Sequence, residues 1–256
     1  MPKAMLIDTS KCIACRGCQV ACKQWNRLPA VPTENKGTYE NPPRLSSSTW
    51  TRVVFSEDQM RWTFCKHQCM HCTDASCVNV CPVGAAEHYG EFVLIDEDWC
   101  VGCGYCVQAC PFGAVHRLMP KGHSFKCNFC IDRVANGLIP ACAQACPTGA
   151  IQFGERQNLI EAAHRRVVTL IENGHTQARI YGETELGGLG QMYILTMPAS
   201  FLGLPESPKV ATSAMPFQWL SGFATVGLMS LILWQSFRRK RQIEEKQPSN
   251  VGGAAR

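Results

Sequence analysis

A long apolar stretch without charged residues lies near the C-terminus of this sequence, from Phe217 to Phe237. A helix of these 21 residues would be roughly 31 Å long, which matches the hydrocarbon core of a bilayer. Trp219 and Trp234 lie near its two ends, and aromatic side chains are enriched at membrane interfaces. The pattern therefore predicts a transmembrane helix over residues 217–237, with a buried core helix as the alternative.

The charges on either side of this stretch predict its orientation. Lys209 is the one basic residue in the preceding connector, residues 198–216, whereas basic residues cluster directly after the span. Since cytoplasmic flanks carry an excess of Lys and Arg, the tail is predicted to be cytoplasmic and the rest of the chain periplasmic. The span contains no histidine, so it cannot supply an imidazole ligand to haem. The basic residues of the tail include Arg238, Arg239, Lys240, Arg241 and Lys246.

Shorter patterns predict the elements that come before the span. Thr49–Phe55 and Arg61–Phe64 are rich in β-prone residues and flank a polar turn, so they predict a β-hairpin. Apolar residues recur with helical spacing over residues 158–173, where Asn158 is the predicted N-cap. Gln191–Met197 is predicted to be a strand.

The N-terminus resembles no export signal. Residues 1–10 are too polar and too short for a secretory signal, and they contain no twin-arginine pair. Arg165 and Arg166 lie inside the predicted helix and are interpreted as a solvated pair. The sequence thus predicts that this chain carries no export signal of its own.

Seventeen cysteines dominate the chemistry, and sixteen of them fall into four groups of four. The central group has the C-x2-C-x2-C-x3-C-P spacing with which bacterial-type ferredoxins bind a [4Fe–4S] cube. Three thiolates on one tight loop bind three corners of the cube, and the fourth cysteine reaches a neighbouring cluster. The groups are Cys12, Cys15, Cys18 and Cys22; Cys69, Cys72, Cys77 and Cys81; Cys100, Cys103, Cys106 and Cys110; and Cys127, Cys130, Cys142 and Cys146.

Three of the groups end in one repeated pattern, C-P-x-G-A, which begins at Cys81, Cys110 and Cys146. The proline should end a short helix and the glycine should permit a turn back towards the sheet, so one supersecondary unit is reused. The first group has Lys23 where the others have proline. A disulfide scaffold is the alternative, but cysteines two residues apart on one loop are poorly placed to bridge. The spacing therefore predicts four [4Fe–4S] clusters.

The reach of each fourth cysteine predicts how the groups pair. The second and third groups should exchange their fourth cysteines, and the first and fourth groups should close around them in the same way. This nesting is a hypothesis. The predicted ligand sets are Cys12, Cys15, Cys18 with Cys146; Cys127, Cys130, Cys142 with Cys22; Cys69, Cys72, Cys77 with Cys110; and Cys100, Cys103, Cys106 with Cys81.

Other residues near the cysteine groups have simpler interpretations. Cys65 breaks the spacing of its group and is predicted to be a buried spare thiol. Histidine can replace a thiolate in some clusters, but no cysteine position is vacant, so surface or supporting roles are expected for the nearby histidines. Nearby lysines could raise the potential of a cluster, although solvated surface positions are the simpler interpretation. These residues are His67, His71, His88, His116 and His123, and Lys66, Lys121 and Lys126.

Composition and motifs exclude several classes of function. The formal charge is +5 with neutral cysteines, and four oxidised cubes of about −2 each with their thiolates would bring it to roughly −3. The excess of basic residues therefore does not indicate a nucleic-acid-binding surface. No basic run with interleaved aromatic residues accompanies the cysteines. No nucleophile–base set or phosphate-binding loop is present, since Gly187-Gly188-Leu189-Gly190 lacks the strand–helix context. Cubes with four cysteine ligands leave no open iron site, so the chain is predicted to relay electrons without catalysing a reaction.

Several stretches resemble the iron–sulfur β subunit of membrane-bound formate dehydrogenases of the formate dehydrogenase-N type. The resemblance extends from about Met5 to the predicted membrane helix. The stretch Gly203–Pro208 and the membrane anchor that follows it are what narrow the resemblance to this family. The sequence departs from the family in its shorter N-terminus, in Cys65 and in its tail. The matching stretches are Gln68–Cys72, Cys100–Cys106, Lys126–Val134, Pro140–Gly154 and Gly203–Pro208.

The resemblance implies a role in a larger complex. A separate molybdopterin α subunit would oxidise formate at molybdenum or tungsten, and electrons would pass through this chain to a cytochrome b γ subunit and quinone. Export would occur together with the α subunit, and a higher oligomer of the complex is left open. The alternatives are the equivalent subunit of a membrane-bound hydrogenase or other molybdopterin oxidoreductase, and a structural or nucleic-acid-binding protein with non-redox clusters.

These observations together predict an α+β fold. Two nested bacterial-ferredoxin-like two-cluster units would be followed by one C-terminal transmembrane helix. The predicted divisions are a four-cluster domain (1–157), an αβ appendage (158–197), a linker (198–216), the transmembrane helix (217–237) and a basic cytoplasmic tail (238–256).

Overall fold

The computed structural model describes residues 2–34, 37–58, 61–118, 122–214 and 226–239, which belong to two compact units, residues 1–212 and 213–256. In the second unit, residues 226–239 are helical. Lys121, residues 217–225 of the predicted membrane span and residues 240–256 of the tail lie outside the described residues. Among the residues that are described, no helix is both long enough and apolar enough to cross a bilayer.

A four-stranded sheet forms the base of the first unit. The strands are β1 (Lys3–Asp8), β8 (Ile151–Glu155), β9 (Arg179–Tyr181) and β10 (Gln191–Leu195), in the order β8-β1-β10-β9. Strand β1 pairs in parallel with β10 and antiparallel with β8, whereas β9 is antiparallel to β10. Residues from both ends of the unit therefore share one sheet with the N-terminal strand at its centre.

The two faces of this sheet pack against different partners because successive side chains of a strand point to opposite faces. Leu6 of β1 and Ile194 of β10 lie in one cluster with the apolar side of helix α6 (Arg156–Glu172). Ile7 and Tyr193, the neighbours of these two residues along the strands, point to the other face. They lie in a separate group of packed side chains that includes several of the grouped cysteines. The sheet therefore separates the long helix from the cysteine-rich side of the unit.

The remaining elements are short and belong to the cysteine-rich side. They include three hairpins, each an antiparallel pair. The hairpin strands are β2 (Arg52–Asp58) with β3 (Arg61–His67), β4 (Ala86–Tyr89) with β5 (Phe92–Ile95), and β6 (His116–Arg117) with β7 (Ser124–Phe125). The helices are α1 (Gly17–Trp25), α2 (Ser76–Asn79), α3 (Tyr105–Ala109), α4 (Ile131–Ala135) and α5 (Ala141–Gln144). The α+β class and the predicted hairpin, formed by β2 and β3, are thus confirmed.

Helix α6 differs from its prediction in two respects. It begins at Arg156, so the residue at its N-cap position is Glu155 rather than the predicted Asn158, and the side chain of Glu155 makes no capping hydrogen bond. Arg166 is only partly solvated, because its Nε lies 3.0 Å from Oδ2 of Asp8, a carboxylate with 1% of its surface exposed. The sequence pattern could not reveal this pair, since 158 residues separate its members.

Candidate metal centres

Each cysteine group begins with a C-x2-C loop whose backbone turns through the left-handed region. The residue directly before the second cysteine has a positive φ in all four loops: 55° at Ala14, 48° at His71, 68° at Gly102 and 60° at Phe129. Only one of these residues is glycine, although this region is unfavourable for other residue types. Strained residues of this kind cluster at ligand-binding sites, where the surrounding structure holds them in place.

The C-P-x-G-A pattern acts as its sequence predicts. The helices before Cys81, Cys110 and Cys146 are α2, α3 and α5, which are no longer than five residues. The glycines that follow, Gly84, Gly113 and Gly149, have φ values of 70°, 57° and 62°. In the first group, Lys23 replaces the proline and helix α1 continues for nine residues through Cys22. The proline therefore accounts for the early end of the other three helices.

The structure brings Cys12, Cys15, Cys18 and Cys146 together, and we call this set site A. The four side chains line one cavity with an empty volume of about 380 Å³. Burial raises the pKa of Cys18 to about 12, and the neighbouring Cys142, Cys12 and Cys15 add to the rise. Cys15 is exposed to solvent, whereas Cys18 is buried.

A second cavity joins Cys81 to Cys100, Cys103 and Cys106, and we call this set site D. Its empty volume is about 320 Å³, close to that of site A. Burial raises the pKa of Cys106, and Cys100, Cys103 and Cys81 contribute to the increase. Cys103 is exposed, so sites A and D each present one cysteine at the surface.

The two other predicted sets contain cysteines whose thiols raise one another's pKa. In site B, which is Cys22, Cys127, Cys130 and Cys142, every cysteine is buried. Burial raises the pKa of Cys130 to about 12, and Cys142 and Cys22 raise it further. In site C, which is Cys69, Cys72, Cys77 and Cys110, burial raises the pKa of Cys77 to about 12, with contributions from Cys69 and Cys110. The cavities of sites A and D thus each bring together one predicted set, whereas the membership of sites B and C and the binding of iron at all four sites stay predictions.

The surroundings of the thiols fit iron–sulfur clusters. Backbone N–H groups donate to cysteine sulfurs at 3.4–3.5 Å, as is typical of groups that tune a cluster. Among the described residues, no three His, Cys, Asp or Glu side chains are arranged to hold a single metal ion. Thiols with raised pKa values must lose their protons to bind iron, so cluster binding would release protons into solution. The N–H donors are Ala86 to Cys81, Ala114 to Cys110, Ser124 to Cys100 and Phe129 to Cys127.

Two lysines near the sites are not solvated, which corrects the simpler interpretation of the sequence. Lys66 has 2% of its surface exposed and Lys126 has 4%. The position of Lys126 directly before Cys127 was a signal that it would lie beside a site, but no sequence signal indicates the depth of Lys66. The sequence therefore named both lysines as neighbours of the cysteine groups, but it did not predict that they are buried.

Cys65 and the histidines have supporting roles. Cys65 has none of its surface exposed, and burial raises the pKa of its thiol, as expected for a spare buried cysteine. Nδ1 of His71 accepts a hydrogen bond from the N–H of Val93, and burial lowers the pKa of His71 well below its usual value. Nε2 of His67 lies 2.7 Å from the carbonyl oxygen of Leu202, and burial lowers the pKa of His67 to about 4. Both imidazoles are therefore neutral at neutral pH.

Comparisons with known proteins agree with this chemistry. The family model described as a 4Fe-4S dicluster domain matches residues 60–156. The nitrate-inducible formate dehydrogenase iron–sulfur subunit of Escherichia coli is 40% identical over 219 residues, which cover 82% of this chain and 74% of that subunit. The formate dehydrogenase iron–sulfur subunit of Haemophilus influenzae is 38% identical over 221 residues, or 82% of this chain and 70% of that subunit.

A shorter relative gives the same result. Formate dehydrogenase subunit beta of Megalodesulfovibrio gigas is 36% identical over 187 residues, which cover 66% of this chain and 84% of that subunit. This chain is thus an electron-transfer subunit with [4Fe–4S] clusters, without a catalytic site of its own, and it belongs to the family of formate dehydrogenase iron–sulfur subunits.

Proposed function

We propose that this chain receives electrons from a catalytic subunit that oxidises formate, and passes them singly along clusters at sites A, B, C and D. The observation that carries the proposal is the linear succession of the sites. Cys18 of site A and Cys142 of site B belong to one group of buried side chains in contact. Cys127 of site B and Cys69 of site C belong to another such group, and Cys77 of site C and Cys106 of site D to a third.

The exposure of the cysteines supports entry and exit of electrons at the two ends of this series. Cys15 of site A and Cys103 of site D are exposed, whereas all four cysteines of site B are buried. An exposed apolar side chain lies near each of these cysteines, since Ile13, 61% exposed, lines the cavity of site A with Cys15, and Val101, 65% exposed, lines that of site D with Cys103. Partner subunits that cover these two surfaces would lie close enough to exchange electrons with the end clusters.

The partners and the location follow from the same proposal. The catalytic partner would hold molybdenum or tungsten with bis-pyranopterin, and the second partner would be a membrane cytochrome b that reduces quinone. Residues 217–237 would form the single membrane anchor, with the tail in the cytoplasm and residues 1–212 on the periplasmic face. The exposed apolar side chains of residues 226–239, such as Leu228 and Ile232, support an anchor, because such a surface avoids water.

The experiment uses the membrane complex, purified anaerobically through a tag on this chain. We expect about sixteen irons per chain beyond those of its partners, because four cubes contain four irons each. Added formate should produce the EPR signals of reduced clusters. A full iron content with a response to hydrogen but not to formate would assign the chain to a hydrogenase instead. An iron content far below this value would contradict the four-cluster proposal.

A further inference from the structure

Lys66 is a buried lysine on the cysteine-rich side of the unit. It belongs to strand β3, where it pairs with Val53, and the hydroxyl of Tyr193 donates to its backbone carbonyl oxygen at 2.8 Å. Its side chain lines the cavity of site A together with Cys12, Cys15, Cys18 and Cys146. Its ammonium nitrogen is buried and has no hydrogen-bond partner among the described residues.

A buried ammonium without a partner is costly, so its position requires an explanation. The carboxylate of Glu40 binds Arg52, which directly precedes Val53, the strand partner of Lys66, and no ion pair joins Glu40 to Lys66 among the described residues. Burial alone would lower the pKa of Lys66, but Cys142, Cys18, Cys127 and Cys22 together raise it above its ordinary value. These cysteines belong to sites A and B. When these cysteines bind clusters as thiolates, they would supply the negative charge that compensates the ammonium.

Lys126 provides a contrast within the same domain. It is also buried, but its ammonium nitrogen donates to the carbonyl oxygens of Val93 and Cys127. Two backbone acceptors therefore stabilise Lys126 irrespective of the charge on a neighbouring site. Lys66 has no such acceptor, and its ammonium remains free to interact with clusters.

We propose that Lys66 is a fixed positive charge between the clusters of sites A and B, and that it raises the reduction potential of both. The inference rests on the proposed ligand sets of these two sites. One-electron reduction adds one negative charge to a cluster, and a nearby ammonium stabilises the reduced form more than the oxidised form. The electron moves between neighbouring clusters, with no bond formed or broken and no proton transferred. Lys66 would thus act through its charge, and it would favour the presence of the electron on the clusters of sites A and B.

The test is a mediated redox titration of the purified complex, followed by low-temperature EPR. Dithionite supplies the electrons, so the result does not depend on whether formate is the natural donor. Signals are assigned to sites by replacing one cysteine of each site with serine. In Lys66→Met and Lys66→Gln, the ratio of reduced to oxidised cluster at sites A and B should fall about tenfold at a fixed ambient potential. For a one-electron couple this corresponds to about 59 mV.

Two further variants serve as controls. Lys66→Arg keeps the charge and should leave the potentials of sites A and B near those of the native protein. Lys126→Met removes a buried lysine that already has backbone acceptors, and it should leave the potential of site A unchanged. Sites C and D should keep their potentials in the Lys66→Met and Lys66→Gln variants.

The possible outcomes separate the proposal from a purely structural role. Full iron content with unchanged potentials at sites A and B in the Met and Gln variants would overturn it, as would an equal shift at all four sites. If both uncharged variants lose the iron of sites A and B while Lys66→Arg retains it, the requirement for a positive charge is supported. Loss of iron in Lys66→Arg as well would show that the fit of the lysine side chain, rather than its charge, matters.

Discussion

Sites A and D have the same ligand spacing and cavities of similar size, but different electrostatic surroundings. Each takes three cysteines from a C-x2-C-x2-C loop and a fourth from a distant group, and each exposes its middle cysteine. The cavity of site A is also lined by Lys66 and Arg16. Among the described residues that line site D, none is charged, and Ser124 is the polar one.

This difference shows that the cysteine pattern and the charge of a site are set independently. A nearby cation stabilises the reduced cluster, so site A should have a higher reduction potential than site D although their ligands match. At equilibrium, an electron added to the series should therefore occupy site A before site D. The ligand loops determine which kind of cluster binds, and the residues packed behind them determine how readily it is reduced.

The largest effect is expected from replacing the fourth cysteine of each end site, because that ligand comes from a distant group of the sequence. Cys146→Ser should remove the cluster of site A, and Cys81→Ser should remove that of site D, because each change removes a thiolate from a distant loop. Iron should fall by about four atoms per chain in each variant, and one EPR signal should disappear. Iron analysis together with EPR of the purified complex checks both expectations.

Cys65→Ala is the matched control, because Cys65 is a buried cysteine outside the four sets. This variant should retain all of its iron. If Cys146→Ser instead removed the cluster of its own group, Cys127, Cys130 and Cys142, the nested pairing would be wrong. Loss of the site D signal in Cys146→Ser would contradict the independence of the two end sites.

A smaller effect is expected from the loop of site D. A Cβ atom at Gly102 would lie 2.1 Å from the carbonyl oxygen of Gly122, and its φ is 68°. Gly104 has a φ of 81°, but nothing lies within 4 Å of the corresponding Cβ position. Gly104→Ala should therefore cost about 1 kcal/mol from the left-handed backbone alone. Gly102→Ala should cost about 3 kcal/mol or more, because overpacking is added to the same strain.

The temperature at which site D loses its EPR signal measures this difference. Gly102→Ala should lower that temperature clearly more than Gly104→Ala, and neither change should affect the temperature at which site A loses its signal. Equal effects of the two alanines at site D would show that the close contact with Gly122 is relieved by a local shift of the backbone.

The sequence was sufficient to predict the parts of this molecule that depend on local spacing. The repeated C-P-x-G-A pattern predicted the short helices and the left-handed glycines, and the absence of proline at Lys23 is consistent with the longer helix α1. Two β-prone segments separated by a polar turn predicted the hairpin of β2 and β3. These features arise from interactions between residues close in sequence, so the pattern contains the necessary information.

Features that depend on long-range packing could not be predicted in this way. Lys66 follows a β-prone segment and could equally have faced solvent, since its burial depends on β2 and on cysteines from several groups. Arg166 was assigned to solvent because its partner, Asp8, lies at the opposite end of the unit's sequence. Ala14, His71 and Phe129 adopt a left-handed backbone for which residue type gave no signal.

The smallest expected effect concerns the left-handed residue before the second cysteine, which differs between the two end sites. Site A holds Ala14 at a φ of 55° where site D has Gly102 at 68°. Ala14→Gly should relieve about 1–2 kcal/mol of left-handed strain. It should also lose about 0.5–1 kcal/mol, because glycine gives the unfolded chain more freedom. The net result should be a stabilisation of about 0.5–1 kcal/mol, seen as a higher temperature for loss of the site A signal. Ala21→Gly, within helix α1, is the control and should destabilise by about 1 kcal/mol. If both variants destabilise site A equally, then Ala14 is unstrained in its loop and the two end sites differ in charge alone.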